Sequence, residues 1–270
     1  MKLKKFINII ICVTFALILF SCTANQSKNI KADESKTSAD NGKISDEKII
    51  NVLNNLGYDI SKEEFDKSYK KNIKSGKLEV LGDKGSSLLI DNKGELIHAD
   101  FLDLLEFSDN EIDKNYPSET FVESIKENFI DKNYTEALKS DFTKDYIAYS
   151  FYEKNPAGVF NPYDQIRVVF DNEKDRVILY NKFSDYKIEK EPSISEDEAS
   201  KIALDFLDNK ARKVDKITLT VVASNDFFDE NKQKEKESKD LHLAYIVEIA
   251  GDMVYVDAYN GKIIGGDSYK

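Results

Sequence analysis

The stretch Val254-Tyr255-Val256-Asp257-Ala258-Tyr259-Asn260-Gly261-Lys262-Ile263-Ile264 reads as a β-hairpin. β-Branched and aromatic residues flank an Asp that opens a tight turn, and Asn260-Gly261 supplies the positive φ that such turns need. The pattern occurs twice more. It appears as Leu88-Leu89-Ile90-Asp91-Asn92-Lys93-Gly94-Glu95-Leu96-Ile97, and again as Val168-Val169-Phe170-Asp171-Asn172-Glu173-Lys174-Asp175-Arg176-Val177-Ile178. The three Asp positions lie 80 and 86 residues apart. A motif that recurs at nearly constant period indicates an internal repeat.

A helical pattern precedes each hairpin. Ser195 and Glu198 form a capping box, after which Ala199, Ile202, Ala203, Phe206 and Leu207 fall on one helical face. Pro117-Ser118 opens a second such stretch, with Phe121, Val122, Ile125, Phe129 and Ile130 on one face. Ser45 precedes Ile49, Ile50, Val52, Leu53 and Leu56. These starts are 73 and 77 residues apart, close to the hairpin period. Tyr146 to Tyr152, Gln165 to Phe170, Ile217 to Ala223 and Leu243 to Ile249 read as further strands. Ser61 to Lys74 reads either as a second helix capped by Ser61 and Glu64 or as a hairpin. Asn225 to Asp240 is a long charged loop. The expected fold is α+β: three tandem units, 44–110, 114–190 and 193–270, each one helix packed on an antiparallel β-sheet. Units of this size bury only about 60% of their unfolded surface, so neighbours are expected to pack together.

Upstream the chain has a different character. Lys2, Lys4 and Lys5 precede an uncharged, mostly apolar run from Phe6 to Phe20. A permanent span needs about 20 such residues, so the run reads as a signal peptide, 1–21. Leu19-Phe20-Ser21-Cys22 then resembles the lipobox of bacterial lipoproteins, which implies a diacylglycerol on Cys22 and cleavage before it. Residues 22–43 are polar and read as a disordered tether. The expected location is the outer face of the cell membrane, held by the lipid on Cys22.

Formal net charge is −11, and −14 once the three signal-peptide lysines are removed. That balance argues against nucleic acid and against further docking on anionic lipid. The two cysteines are Cys12 in the apolar run and Cys22, so the mature chain offers no thiol for catalysis, a disulfide or a metal. The histidines, His98 and His242, lack metal-ligand spacing, and no nucleophile elbow, P-loop or dinucleotide fingerprint is present. The Asp turns lack the alternating ligands of a calcium loop. No cofactor and no catalytic activity are expected. Asn155 to Tyr163 contains two prolines, with Phe160 and Tyr163 between strands. Those aromatics either form a partner-recognition loop or fold back over a sheet edge.

Residues Ile194 to Gly266 resemble the PepSY domain. The resemblance rests on Ile194-Ser195-Glu196-Asp197-Glu198-Ala199 at the start, and on Ala244-Tyr245-Ile246-Val247-Glu248-Ile249 with the 254–264 hairpin at the end. Tyr149-Ser150-Phe151-Tyr152 and Ile166-Arg167-Val168-Val169-Phe170-Asp171 make Tyr116 to Lys190 look like a diverged copy, whereas the first unit is recognisable only as a repeat. The insertion at 225–240 departs from the compact family form. The resemblance implies a non-enzymatic module that binds, and inhibits or regulates, a secreted peptidase or cell-wall hydrolase. The alternative is a peptide- or glycan-binding lipoprotein without inhibitory activity.

Overall fold

The computed structural model describes residues 44–102, 117–143, 146–171, 173–208, 213–228 and 240–268. Residues 1–43, where a signal peptide, a lipid site at Cys22 and a tether are expected, and most of the charged stretch 225–240 lie outside the described residues. Among the described residues, no helix is long and apolar enough to cross a membrane.

The first unit begins with helix α1 (Asp46–Asn55). The Ser45 side chain accepts the Lys48 N–H, and Asp46 and Glu47 place negative charge at the positive end of the dipole. Ile49 and Leu53, one turn apart, are buried. Helix α2 (Lys62–Ser68) is likewise started by Ser61, but it ends where strand β1 (Tyr69–Lys74) begins. Both readings of 61–74 thus hold for half of it each. Strands β2 (Lys77–Gly82), β3 (Ser87–Ile90) and β4 (Leu96–Asp100) complete an antiparallel meander. The second unit repeats this with helix α3 (Glu119–Phe129) and strands β5 (Glu136–Thr143), β6 (Tyr146–Tyr152), β7 (Asp164–Asp171) and β8 (Val177–Ser184).

The expectation of an α+β fold of three tandem units, each one helix packed on its own antiparallel sheet, is overturned here. The structure is mostly β, in two antiparallel sheets of eight and four strands, with four helices among the described residues. The first two units share one sheet, ordered β1-β2-β3-β4-β8-β7-β6-β5. Their last strands pair antiparallel, His98 with Asn181, Ala99 with Tyr180 and Asp100 with Leu179, and Phe101 N–H donates to Ile178 O at 2.9 Å. One core underlies both halves: Ile49 and Leu53 of α1 and Ile125 of α3 join Val80, Leu88, Phe151, Ile166 and Phe170.

The end of α1 also reaches into the second half, and Lys182 of β8 reaches back to the first. At the α1 end, Leu56 O accepts Val177 N–H, and Tyr58 OH donates to Val177 O at 2.9 Å. Gly57, at φ +93°, turns the chain there, and a Cβ at that position would strike the backbone of Asp175. At the other end of β8, Tyr180 OH donates to Phe129 O, and Lys182 bridges Glu95 and Asp131. One main core therefore serves both halves, with a small second cluster of Ala148, Val169 and Leu179 on the other face of β6, β7 and β8.

The third unit keeps a sheet to itself. Helix α4 (Glu196–Phe206) covers strands β9 (Lys216–Ala223), β10 (Leu241–Ile249), β11 (Asp252–Asp257) and β12 (Ile263–Ser268), ordered β12-β11-β10-β9. Ala199 and Ala203 let α4 lie close over Leu243, Val247, Val254 and Val256.

Candidate partner-binding edges

The three Asp turns share one geometry. In each, Oδ1 accepts the N–H two residues on: Lys93 for Asp91, Glu173 for Asp171 and Tyr259 for Asp257, at 2.8 to 2.9 Å. The turns differ in the second oxygen. Arg176 Nε donates to Asp171 Oδ2 at 2.5 Å, and His242 Nδ1 lies 2.9 Å from Asp257 Oδ2. Both of these carboxylates are buried. The turns are structural caps, and in Asp171 and Asp257 both carboxylate oxygens are engaged by the protein.

A sheet that is not closed ends in edges, and these edges are treated differently. Strand β1 carries Lys70, Lys71 and Lys74, and β5 carries Glu136 and Lys139. Charge of this kind guards an edge against unwanted pairing. Strand β12 is guarded by a side chain. Asn225 N–H donates to Ile264 O, its amide Nδ2 donates to Gly266 O at 2.8 Å, and its Oδ1 accepts Gly266 N–H at 2.9 Å. Asn225 thus occupies the place of one residue of an added strand. Gly265, at φ +151°, leaves the room: a Cβ there would strike Asn225.

Among the described residues, strand β9 shows neither kind of guard past Lys216, its first residue. Ile217-Thr218-Leu219-Thr220-Val221-Val222-Ala223 is free of charge and of proline. Ser224 N–H donates to Asp240 O at 2.9 Å. Antiparallel bonds alternate, so the even-numbered residues of β9 bond to β10, and Ile217, Leu219, Val221 and Ala223 direct backbone groups outward. Ile217, Leu219 and Val221 also point into the core. Thr218, Thr220 and Val222 are half-buried on the opposite face.

No family model matches the chain. No curated protein matches it. Among solved structures, the C-terminal domain of Bacillus megaterium YpeB is similar, with 14% identity and a TM-score of 0.45 over 84% of this chain and 98% of that one.

The loop carrying Phe160 and Tyr163 lies at the junction of the two sheets. Ala157, Val159 and Tyr163 pack against the core of the four-stranded sheet, and Phe160 meets Tyr152 edge-on at 5.2 Å. Asn161 Nδ2 donates to Tyr186 O at 2.7 Å, and Asp185 N–H donates to Tyr163 O. Nearby, burial pushes the Tyr259 phenol up to about 12, with Tyr186 beside it as a further cause. Both aromatics of this loop are half-buried, and the loop joins modules.

The two histidines lie apart. His98 Nδ1 is 2.6 Å from Asn181 Oδ1, at the seam between β4 and β8. His242 and Asp257 have the mutual orientation of the supporting half of a Ser-His-Asp triad. Ser224 borders the same cavity of about 460 Å³, but the bond it makes is a backbone one to Asp240. The nucleophile's hydrogen bond to the base, which that chemistry needs, is not made. Among the described residues no three His, Cys, Asp or Glu side chains converge as a metal site would require.

Of these features, the charge-free run at 217–223 was readable in the sequence, as the lack of any gatekeeper over seven strand residues. The Asn225 cap was not, because it depends on a contact 41 residues away.

Proposed function

We propose that this chain is a non-enzymatic envelope lipoprotein, anchored through Cys22, that holds a secreted peptidase or cell-wall hydrolase by strand addition at β9. The carrying observation is the contrast between edges among the described residues: β1 and β5 bear charge along their length and β12 bears Asn225, while β9 bears charge only at Lys216, its first residue. A strand added there gains backbone hydrogen bonds from the odd-numbered residues, and the alternating side chains of β9 supply selectivity. The resemblance of residues 194–266 to PepSY domains supports a partner that is a peptidase or wall enzyme. The separate, structurally engaged histidines support a binding role.

The test uses residues 23–270, which contain every residue of both cores. The purified fragment is mixed with secreted peptidases and wall hydrolases of the source organism, and complex formation and hydrolysis rates are measured. The expected result is a stable complex with slowed hydrolysis. The double variant Thr218→Lys, Thr220→Lys, which adds gatekeeper charge to the half-buried outer face, should weaken that complex about tenfold or more. Equal binding by the double variant, or turnover of a small substrate by the fragment alone, overturns the proposal. A complex without inhibition favours the peptide-binding alternative.

A further inference from the structure

The β1–β2 hairpin differs from the rest of the chain in both charge and exposure. Residues 69–82 contain Lys70, Lys71, Lys74 and Lys77 against one acid, Glu79, a local balance of +3 in a chain of −11. The hairpin turns at Ser75-Gly76, both at positive φ, and a Cβ on Gly76 would meet nothing within 4 Å. Ile73, beside this tip, is 72% exposed, the most exposed large apolar side chain among the described residues. It pairs across the strands with Leu78, and with Ile44 they border a groove of about 560 Å³. On the opposite face Lys70, Lys74 and Lys77 flank Leu81, which is 37% exposed.

Edge protection accounts for the lysines but not for the isoleucine. A charged edge strand needs no large aliphatic at its most exposed position. A soluble polyanion would use the lysines and gain nothing from Ile73. A bilayer surface uses both, because lysine ammonium groups meet anionic headgroups while an aliphatic tip enters the interface. The acids nearby offset only part of this charge. Asp46 is held by Lys71 and then Lys62, hydrogen bonds that keep its carboxyl below its ordinary value. Glu79 lies 3.7 Å from Lys74. Asp91 caps its own turn.

We infer that the tip of the β1–β2 hairpin, Ile73 with Lys74 and Lys77, is a contact surface for an anionic membrane. The inference goes beyond the β9 reading and does not depend on it. It draws on the proposed anchor only for proximity: a chain from Cys22 to Ile44 spans at most about 75 Å fully extended, so a lipid on Cys22 keeps this hairpin near the bilayer. The net negative charge of the body repels the same surface, so contact is expected to be weak but measurable in the free fragment and stronger when tethered.

The experiment is flotation of the 23–270 fragment, which lacks any lipid, with vesicles of phosphatidylcholine alone or with 30% phosphatidylglycerol, at low and at physiological salt. Binding is expected only with phosphatidylglycerol, and it should weaken with salt. Lys74→Gln with Lys77→Gln should reduce it about 25-fold, at about fivefold per lysine. Ile73→Asp should also reduce it severalfold. Lys132→Glu, on an exposed loop away from the hairpin, should change it little. Equal partition to both vesicle types, an effect of Lys132→Glu as large as that of the tip lysines, or unchanged binding of Ile73→Asp each overturns the inference; the last points to a soluble polyanion or simple edge protection. Partner capture at β9 is measured without lipid, so failure here leaves that proposal standing.

Discussion

The last strands of the repeats are built alike and end differently. Strands β4 and β8 each come after an Asp turn, and they pair with one another. Strand β12 comes after the same turn, yet its outer groups are held by Asn225 from the insertion after β9. The same local unit therefore yields a shared eight-stranded sheet in one case and a solitary four-stranded sheet in the other. An unpaired edge is a template for another strand. The neighbour that reaches an edge in space, not the residues that compose it, decides whether it joins or stays closed.

The largest effect should come from breaking the joined seam. Phe101 is fully buried, stacks on Tyr58 at 4.1 Å and anchors the end of β4 to β8. Phe101→Ala should cost about 3–5 kcal/mol. Urea unfolding monitored separately in the two sheets should show the eight-stranded sheet melting earlier while the four-stranded sheet keeps its midpoint. A common shift of both would show that the two cores unfold as one, and that the contrast between them is only geometric.

A smaller effect tests the closed edge. Asn225→Ala removes two side-chain hydrogen bonds from Gly266 and should cost about 1–3 kcal/mol. More diagnostic is association: the variant should self-associate in light scattering at concentrations where the parent is monodisperse. A variant that is destabilised but stays monodisperse would mean that Asn225 braces β12 without guarding it.

The smallest effect separates the helix starts. In α4 the cap is self-contained: Glu198 accepts from the Ser195 N–H and hydroxyl, bonds that hold its carboxyl below the ordinary value of 4.5. In α3 the cap reaches across the fold, because Ser118 N–H and Oγ both donate to Asp175. A lowered carboxyl stabilises the fold above pH 4.5 and loses that contribution as pH falls below it. Glu198→Gln should therefore lower the thermal midpoint of the four-stranded sheet slightly at pH 7, and the difference from the parent should fade below pH 4.5. A constant difference from pH 7 to pH 3 would locate the effect in helix propensity instead of the cap.

Much of the local structure was legible in the sequence. Ser45, Ser118 and Ser195 each cap the helix that their spacing suggests, and Asp91, Asp171 and Asp257 each cap a hairpin turn. These signals are legible because cap, helix face and turn are formed by residues within a few positions of one another. The fold class was not. Whether Ser61 to Lys74 is helix or strand changes at Tyr69, where Lys70 and Lys71 enter β1 opposite Leu81 and Val80, partners that lie beyond the turn.

The sequence by itself thus determined the local pieces: the helix caps, the Asp turns and the charge carried on each strand. Only the tertiary structure decided their assembly. Pairing of β4 with β8 is made of backbone hydrogen bonds between residues some 80 positions apart, and backbone groups are the same whatever side chain they carry. It was settled by the end of α1 docking on the β7–β8 turn through Leu56 and Tyr58. The closure of β12 was settled in the same way, by one amide brought there from 41 residues away.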